Sequence, residues 1–280
     1  MTAFATSVTI VGLLKLHFAE GRPYFLNGAI KPHSCKDLEF GYPSGHSAAT
    51  SATYITLYYC VYRHYRFNKL LFAIGALGLV GLLKTVGASR IFLGAHSLDQ
   101  VFAGFMIGTP LALGICDSID SDFKEMTKRG ISIAEALLSK WFLLFCICQI
   151  LAFYTFLTMD DQISPEWEAN IKNACRMKVE TMGTLSPRQQ TFGKVCYALA
   201  HVGAYVGLIV EQRLFPQHVV AEYRPDFIYK CIDFFLSGLP MVPLLAGSFI
   251  VPKKASFDIQ IVFRYILPPI ISNLYLFGAS

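Results

Sequence analysis

Long apolar runs alternate with short polar stretches through the whole chain. A helix needs roughly 20 mostly apolar residues to cross about 30 Å of hydrocarbon at 1.5 Å per residue. On that criterion the pattern predicts eight helices, at 1–18, 45–63, 70–88, 96–115, 133–158, 192–212, 228–251 and 258–279; Leu70–Gly87 and Val101–Ile115 are the plainest. Gly, Ala and Ser recur in 45–52, 73–88 and 94–114. Small residues let helix backbones approach closely, so these three stretches are expected to form a tightly packed centre. The first run is short, because only 14 residues precede Lys15, about 21 Å of helix. It is read as a shallow or truncated span, with an upstream helix expected in a longer gene product. It lacks the basic start and small-residue cleavage site of a signal peptide. Counted alternately, the connections 19–44, 89–95, 159–191 and 252–257 share one side of the membrane. The connections 64–69, 116–132 and 213–227 lie on the other, with the C-terminus.

Composition agrees with this pattern. Hydrophobic residues make up 54% of the chain, charged residues 15%, and the mean hydropathy is +0.47. A soluble domain carries about 25% charged residues, so this chain has too little charge to cover a water-facing surface. Disordered, collagen-like, coiled-coil and small disulfide-scaffold classes are excluded on the same grounds. The expected fold class is all-α: a polytopic transmembrane helical bundle of about eight spans, with a catalytic core over 1–118 and additional spans of the same domain over 119–280. The net charge of +5 is scattered and offers no basic run for nucleic acid. Six of the eight cysteines lie in or beside apolar segments and act as small hydrophobes. Cys35 and Cys175 alone fall in polar connections. Two free thiols are expected there, with a disulfide as the alternative if that side is lumenal.

The scarce polar residues of the first four helices cluster. Lys15, Arg22, Ser44, His46, Ser89, Arg90 and His96 all fall at helix ends or connections on one side. Charge at membrane depth is costly and marks function, and basic groups joined to helix N-termini suit a multiply charged oxyanion such as phosphate. Lys15 and Arg22 stand two helical turns apart and can face one point if the helix continues to Pro23. Ser44 is a good N-cap, Gly45 lets the backbone approach a ligand, and Arg90 can grip phosphate through two parallel bonds. His96 is placed at the start of the fourth helix, where the positive dipole end keeps an imidazole neutral.

The string Lys15-x6-Arg22-Pro23, then Pro43-Ser44-Gly45-His46, then Ser89-Arg90-x5-His96 resembles the three-part signature of the type 2 phosphatidic acid phosphatase (PAP2) superfamily. That superfamily includes lipid phosphate and sphingosine-phosphate phosphatases, isoprenoid diphosphatases, glucose-6-phosphatase and the vanadium haloperoxidases. The resemblance implies that His96 attacks phosphorus to form a phosphohistidine, and that His46 protonates the leaving oxygen and then activates water. It implies that Lys15, Arg22, Ser44, the Gly45 amide and Arg90 hold the phosphoryl oxygens, with no metal and no cofactor. One position departs from the pattern. Gln100 stands four residues after His96, where most members place Asp, and this resembles the glucose-6-phosphatase branch. Gln100 can accept the ring N–H but cannot stabilise imidazolium by charge. Asp99 lies about 100° round the helix from it.

A lipid phosphate is the expected substrate, with membrane lipids as the surroundings. The alternatives are a sugar-phosphate phosphatase of the glucose-6-phosphatase kind and a non-catalytic structural subunit of a membrane complex. Lys84 either snorkels or touches an anionic substrate. Asp37 and Glu39 are read as loop solvation or as a partner for a nearby base, and His17, His33, His64, His201 and His218 as structural or interfacial. Arg63, Arg66, Lys69, Lys124, Lys128 and Arg129 mark the side away from the site as cytoplasmic. Lys172, Arg176, Lys178, Arg188 and Lys194 oppose that assignment. The expected active site is lumenal or extracytoplasmic.

Overall fold

The computed structural model describes residues 2–35, 38–66, 68–129, 134–135, 138–159, 163–175 and 186–195, with Ile259 alone beyond them. The regular structure among these residues is helical: α1 Thr2–Phe18, α2 Pro23–Leu26, α3 Gly45–Tyr65, α4 Lys69–Phe92, α5 Leu98–Arg129, α6 Lys140–Thr158, α7 Pro165–Cys175 and α8 Pro187–Val195. The all-α expectation therefore holds over the described residues. The helix α4, with 24 residues and a hydropathy of 2.0, is long and apolar enough to cross a membrane. Leu98–Gly114 of α5 and Phe142–Thr158 of α6 are shorter apolar stretches. The expected spans 228–251 and 258–279, and most of 192–212, lie outside the described residues.

Two local expectations change. α1 ends at Phe18, where the predicted helix 1–18 ends, but the continuation on which Lys15 and Arg22 would share a helical face does not occur, and Ala19 turns the chain with a φ of 50°. Pro23 is the first residue of α2, with Arg22 extended before it. Proline lacks only an N–H that a first helical turn leaves unbonded, so it starts a helix more readily than it continues one. Further on, α5 reaches Arg129 and takes in much of the stretch 116–132 assigned to a connection. That stretch holds Glu, Lys, Met and Arg, all good helix formers, and no Gly or Pro before Gly130.

The expected small-residue seam forms between α3 and α5. A Cβ at Gly104 would stand 2.5 Å from Ser44 O and 2.8 Å from Ser47 Cβ, and one at Gly108 would meet Ser51 Oγ and Ala48 O. Ser47, Ala48, Ser51, Ala52 and Ala112 are fully buried. The third stretch, 73–88, packs less. Gly75 lies under Tyr58 and Gly87 under Val101 and Phe105, but a Cβ at Gly78 or Gly81 would meet nothing within 4 Å. Leu70, Leu71, Ile74, Leu77 and Val80 of α4 are exposed.

Two compact units are present, Met1–Asp120 with Cys148–Val195, and Ser121–Ile147 with Cys196–Ser280. The second holds the end of α5 and the start of α6. In the first, α8 packs on α1, where a Cβ at Gly12 would meet Val195. It also packs on α6, where Phe192 stacks on Phe156 with ring centroids 4.3 Å apart and the Arg188 guanidinium lies over that same ring. α7 docks on α2 through Tyr24, Phe25, Leu38, Ile171 and Ala174, with Trp167 against them. Each large apolar side chain buried this way contributes roughly 1.5–3 kcal/mol. Asn170 Nδ2 donates to Phe25 O at 3.0 Å, and Lys31 Nζ donates to Asn173 O at 2.7 Å. This docking brings Cys35 and Cys175 together as a disulfide with Cα atoms 5.9 Å apart. The expectation of two free thiols is thus overturned; their separation of 140 residues hid a proximity that only α7 on α2 creates.

Candidate active site

The end of α1 and the turn after it bring Lys15 and Arg22 onto one carboxylate. Lys15 is 3% exposed, Arg22 6% and Glu39 6%. Lys15 Nζ lies 3.1 Å from Glu39 Oε1 and donates to Phe40 O at 2.7 Å. Arg22 Nη2 donates to the same Oε1 at 2.7 Å, Nε to Glu39 O at 3.0 Å, and Nη1 to Ala95 O at 3.3 Å. The two cations therefore converge as expected, through a turn rather than along one helix. Of the two readings for Glu39, a partner for nearby bases is the one observed.

Arg22 reaches Ala95 because the connection between α4 and α5 folds back. Ala95 N and His96 N both donate to Arg90 O, at 3.0 and 3.3 Å, and Gly94 adopts a φ of 63°. His96 lies in this connection, two residues before Leu98 begins α5, and not on the helix itself. It is 2% exposed. Burial first, and then the charges of Lys15 and Arg22, lower its pKa from 6.5 to about 2, against the opposing bond to Gln100 and the charge of Glu39. Burial and the two neighbouring cations thus favour the neutral ring.

Gln100 orients that ring. Its amide is 1% exposed, and Nε2 donates to Glu20 Oε1 and Gly21 O, both at 2.9 Å. Two acceptors on one side of an amide fix its Oε1 on the other side. Oε1 stands 3.1 Å from His96 Nδ1 and also receives Ser97 N at 3.4 Å. An acceptor at Nδ1 places the proton there, which leaves Nε2 of the neutral imidazole with its lone pair. Gly41 makes room: a Cβ would stand 2.7 and 2.8 Å from the two amide atoms of Gln100. Asp99 is exposed and takes no part.

Ser44 N-caps α3 as expected. Its buried Oγ accepts Ser47 N at 3.4 Å and Ser47 Oγ at 3.0 Å, leaving its hydroxyl proton to donate. Ser44 N donates to Gln100 O at 2.9 Å and ties this turn to the first turn of α5. A Cβ at Gly45 would meet only Val11, at an ordinary 3.7 Å, so the protein itself does not demand glycine there. His46 is exposed on the first turn of α3. Arg90, half-buried in the last turn of α4, donates from Nε to Ser89 Oγ at 3.3 Å. Lys84 is exposed on α4. Among the described residues, no three His, Cys, Asp or Glu side chains converge to hold a metal ion.

Sequence reasoning missed Glu20 and Gly41 and left Glu39 open. The available signal was a carboxylate between two basic motifs in a chain with few charges. A buried set of two cations, one carboxylate and a neutral imidazole with its tautomer set can bind an oxyanion and present a nitrogen lone pair to it.

Comparison with known proteins agrees with this chemistry. Residues 1–121 match the family model of the PAP2 superfamily, and this region contains every part of the three-part signature. Over 97 residues the chain is 34% identical to phosphatidylglycerophosphatase B of Bacillus subtilis (strain 168), covering 33% of this chain and 45% of that protein. The match thus spans less than half the length of that relative. No solved structure matches the chain.

Proposed function

With the PAP2 superfamily match over residues 1–121 as the premise, we propose that this chain is a membrane phosphatase that hydrolyses a lipid phosphate through a phosphohistidine on His96. The observation that carries the proposal is the buried, neutral His96, its Nδ1 proton held by Gln100, within the charge field of Lys15 and Arg22. In the first step His96 Nε2 bonds to phosphorus as the bond to the leaving oxygen breaks, and His46 supplies that oxygen with a proton. In the second, His46 takes a proton from water, whose oxygen attacks phosphorus and releases the imidazole and inorganic phosphate. Lys15, Arg22, Arg90, the Ser44 hydroxyl and the Gly45 amide meet the charge on the equatorial oxygens. The proposed chemistry runs without metal or cofactor.

The exposed apolar face of α4 and the apolar stretches of α5 and α6 support a chain that crosses a membrane. A lipid substrate could then reach the site sideways with its tails still in the bilayer. The similarity to the Bacillus phosphatidylglycerophosphatase supports the same substrate class. The disulfide joins two connections on the site's side of the membrane. Disulfides persist in oxidising compartments, which supports a lumenal or extracytoplasmic site. A sugar phosphate is the second reading, favoured by Gln100 and its resemblance to the glucose-6-phosphatase branch.

Phosphate release by the purified protein from phosphatidate, phosphatidylglycerophosphate, sphingosine phosphate and glucose 6-phosphate tests these readings. Turnover of the lipid phosphates above glucose 6-phosphate, abolished in His96→Ala, is expected. A preference for glucose 6-phosphate selects the second reading, and no release from any substrate points to a structural subunit.

A further inference from the structure

Resting on the phosphatase reading, we infer that Glu39 is a positioning residue of the phosphate site: it holds Lys15 and Arg22 from one side, so that the free end of the Arg22 guanidinium faces the transferring phosphoryl group.

Donor arithmetic carries the first step. Arginine has five N–H donors in a rigid plane. Glu39 takes two along one edge, Nε through its carbonyl and Nη2 through its carboxylate, and Ala95 O takes one from Nη1. One N–H remains on each Nη, and these donors suit the oxygens of a phosphoryl group. Lys15 is held likewise, between Glu39 Oε1 and Phe40 O. Both cations are thus tied to residues 39 and 40 through main-chain carbonyls as well as through the carboxylate.

Anchoring carries the second step. The amides on either side of Glu39 are bonded to α8: Leu38 N donates to Gln190 Oε1 at 2.8 Å, and Phe40 N to Thr191 Oγ1 at 3.2 Å. Thr191 is fully buried and donates its own hydroxyl to Pro187 O at 2.8 Å. α8 is seated in turn on α1 and α6. With the backbone held on both sides of Glu39 and its carboxylate engaged by Lys15 and Arg22, Glu39 acts as a brace rather than as an internal stand-in for phosphate. One carboxylate against two cations also leaves positive charge for an incoming dianion. The anchors lie outside the region matched by the family, so Gln190 and Thr191 extend the supporting shell of the site to the chain beyond residue 121.

Orthovanadate, which takes up the trigonal-bipyramidal geometry of phosphoryl transfer, is the probe, with Glu39→Gln as the variant. Its inhibition constant reports on the competent molecules alone, whatever fraction of the preparation they form. Loss of the brace should weaken orthovanadate inhibition about tenfold or more and lower kcat further than it raises KM, because aligned cations matter most in the transition state. An unchanged inhibition constant would reduce Glu39 to a structural role and overturn the inference. Tighter inhibition would do the same by making Glu39 an occupant of the phosphate position. If Glu39→Gln does not fold, Glu39→Asp keeps the charge but shortens the reach, and it should weaken orthovanadate in the same direction; wild-type inhibition in that variant also overturns the inference. A wild-type protein that releases no phosphate from any of the substrates sinks the phosphatase reading and this inference with it. An active wild type with unaltered Glu39 variants sinks the inference alone.

Discussion

At the scale of single residues, an uncharged amide holds the imidazole of His96, with Gln100 Oε1 3.1 Å from its Nδ1. Gln100 sets the tautomer of His96 because Glu20 and Gly21 accept from its Nε2. Gln100→Ala should therefore lower kcat about 10- to 100-fold, as losses of orienting partners do, with little change in KM. Gly41→Ala should act in the same direction, since its Cβ would stand 2.7 Å from the Gln100 amide; equal kcat in either variant and wild type counts against the orienting role. His96 also links stability to pH. Its folded pKa is lowered from 6.5, so as pH falls through that value the unfolded chain binds a proton that the folded site refuses. Stability is then lost with falling pH, by at most about 1.4 kcal/mol per unit from this one group. Wild-type protein should lose more of its thermal midpoint between pH 7.5 and pH 5 than His96→Gln does, and equal losses would contradict the lowered pKa. Lys15, Arg22, Ser44, His96 and Gln100, which the structure brings together, belong to short motifs with fixed spacing and so could be picked out in sequence; His46, Gly45 and Arg90 share those motifs, and their roles are proposals. Glu20, Glu39 and Gly41 belong to none; they enter the site only through the turn after α1 and the loop before α3.

At the scale of elements, the seam between α3 and α5 carries the site, since it brings Ser44 against the first turn of α5. Gly108→Val would drive a side chain into Ser51 and Ala48 and should cost about 1–3 kcal/mol or more. Gly81→Ala, where a Cβ meets nothing within 4 Å, should be neutral or stabilising by up to about 1 kcal/mol. Thermal unfolding in detergent separates the two; equal midpoints would deny the seam its role. Apolar run length located α1, α3, α4 and α5 well. It misjudged the ends, because proline at a first helical turn and a polar stretch of strong helix formers follow local chemistry rather than hydropathy. Composition alone also could not tell that α4 packs tightly at Gly75 and Gly87 but not at Gly78 and Gly81.

At the scale of the whole molecule, the site depends on chain well beyond its motifs. α7 holds α2 through Asn170 and Cys35 through the disulfide to Cys175, and α8 holds Leu38 and Phe40 through Gln190 and Thr191. Cys35→Ser should abolish the mobility difference between reduced and non-reduced gels, and should destabilise the fold by about 2–5 kcal/mol; an unchanged mobility difference would contradict the pairing. Contacts between segments 140 residues apart leave no periodic trace in a sequence, which is why this layer could not be read in advance. The central claim is a covalent phosphohistidine on His96. Brief incubation with a lipid substrate labelled in its phosphate tests it most directly, followed by measurement of acid-labile label on the protein. Label on wild type and none on His96→Ala is the predicted result. Turnover without label on wild type, or label that persists in His96→Ala, would contradict it.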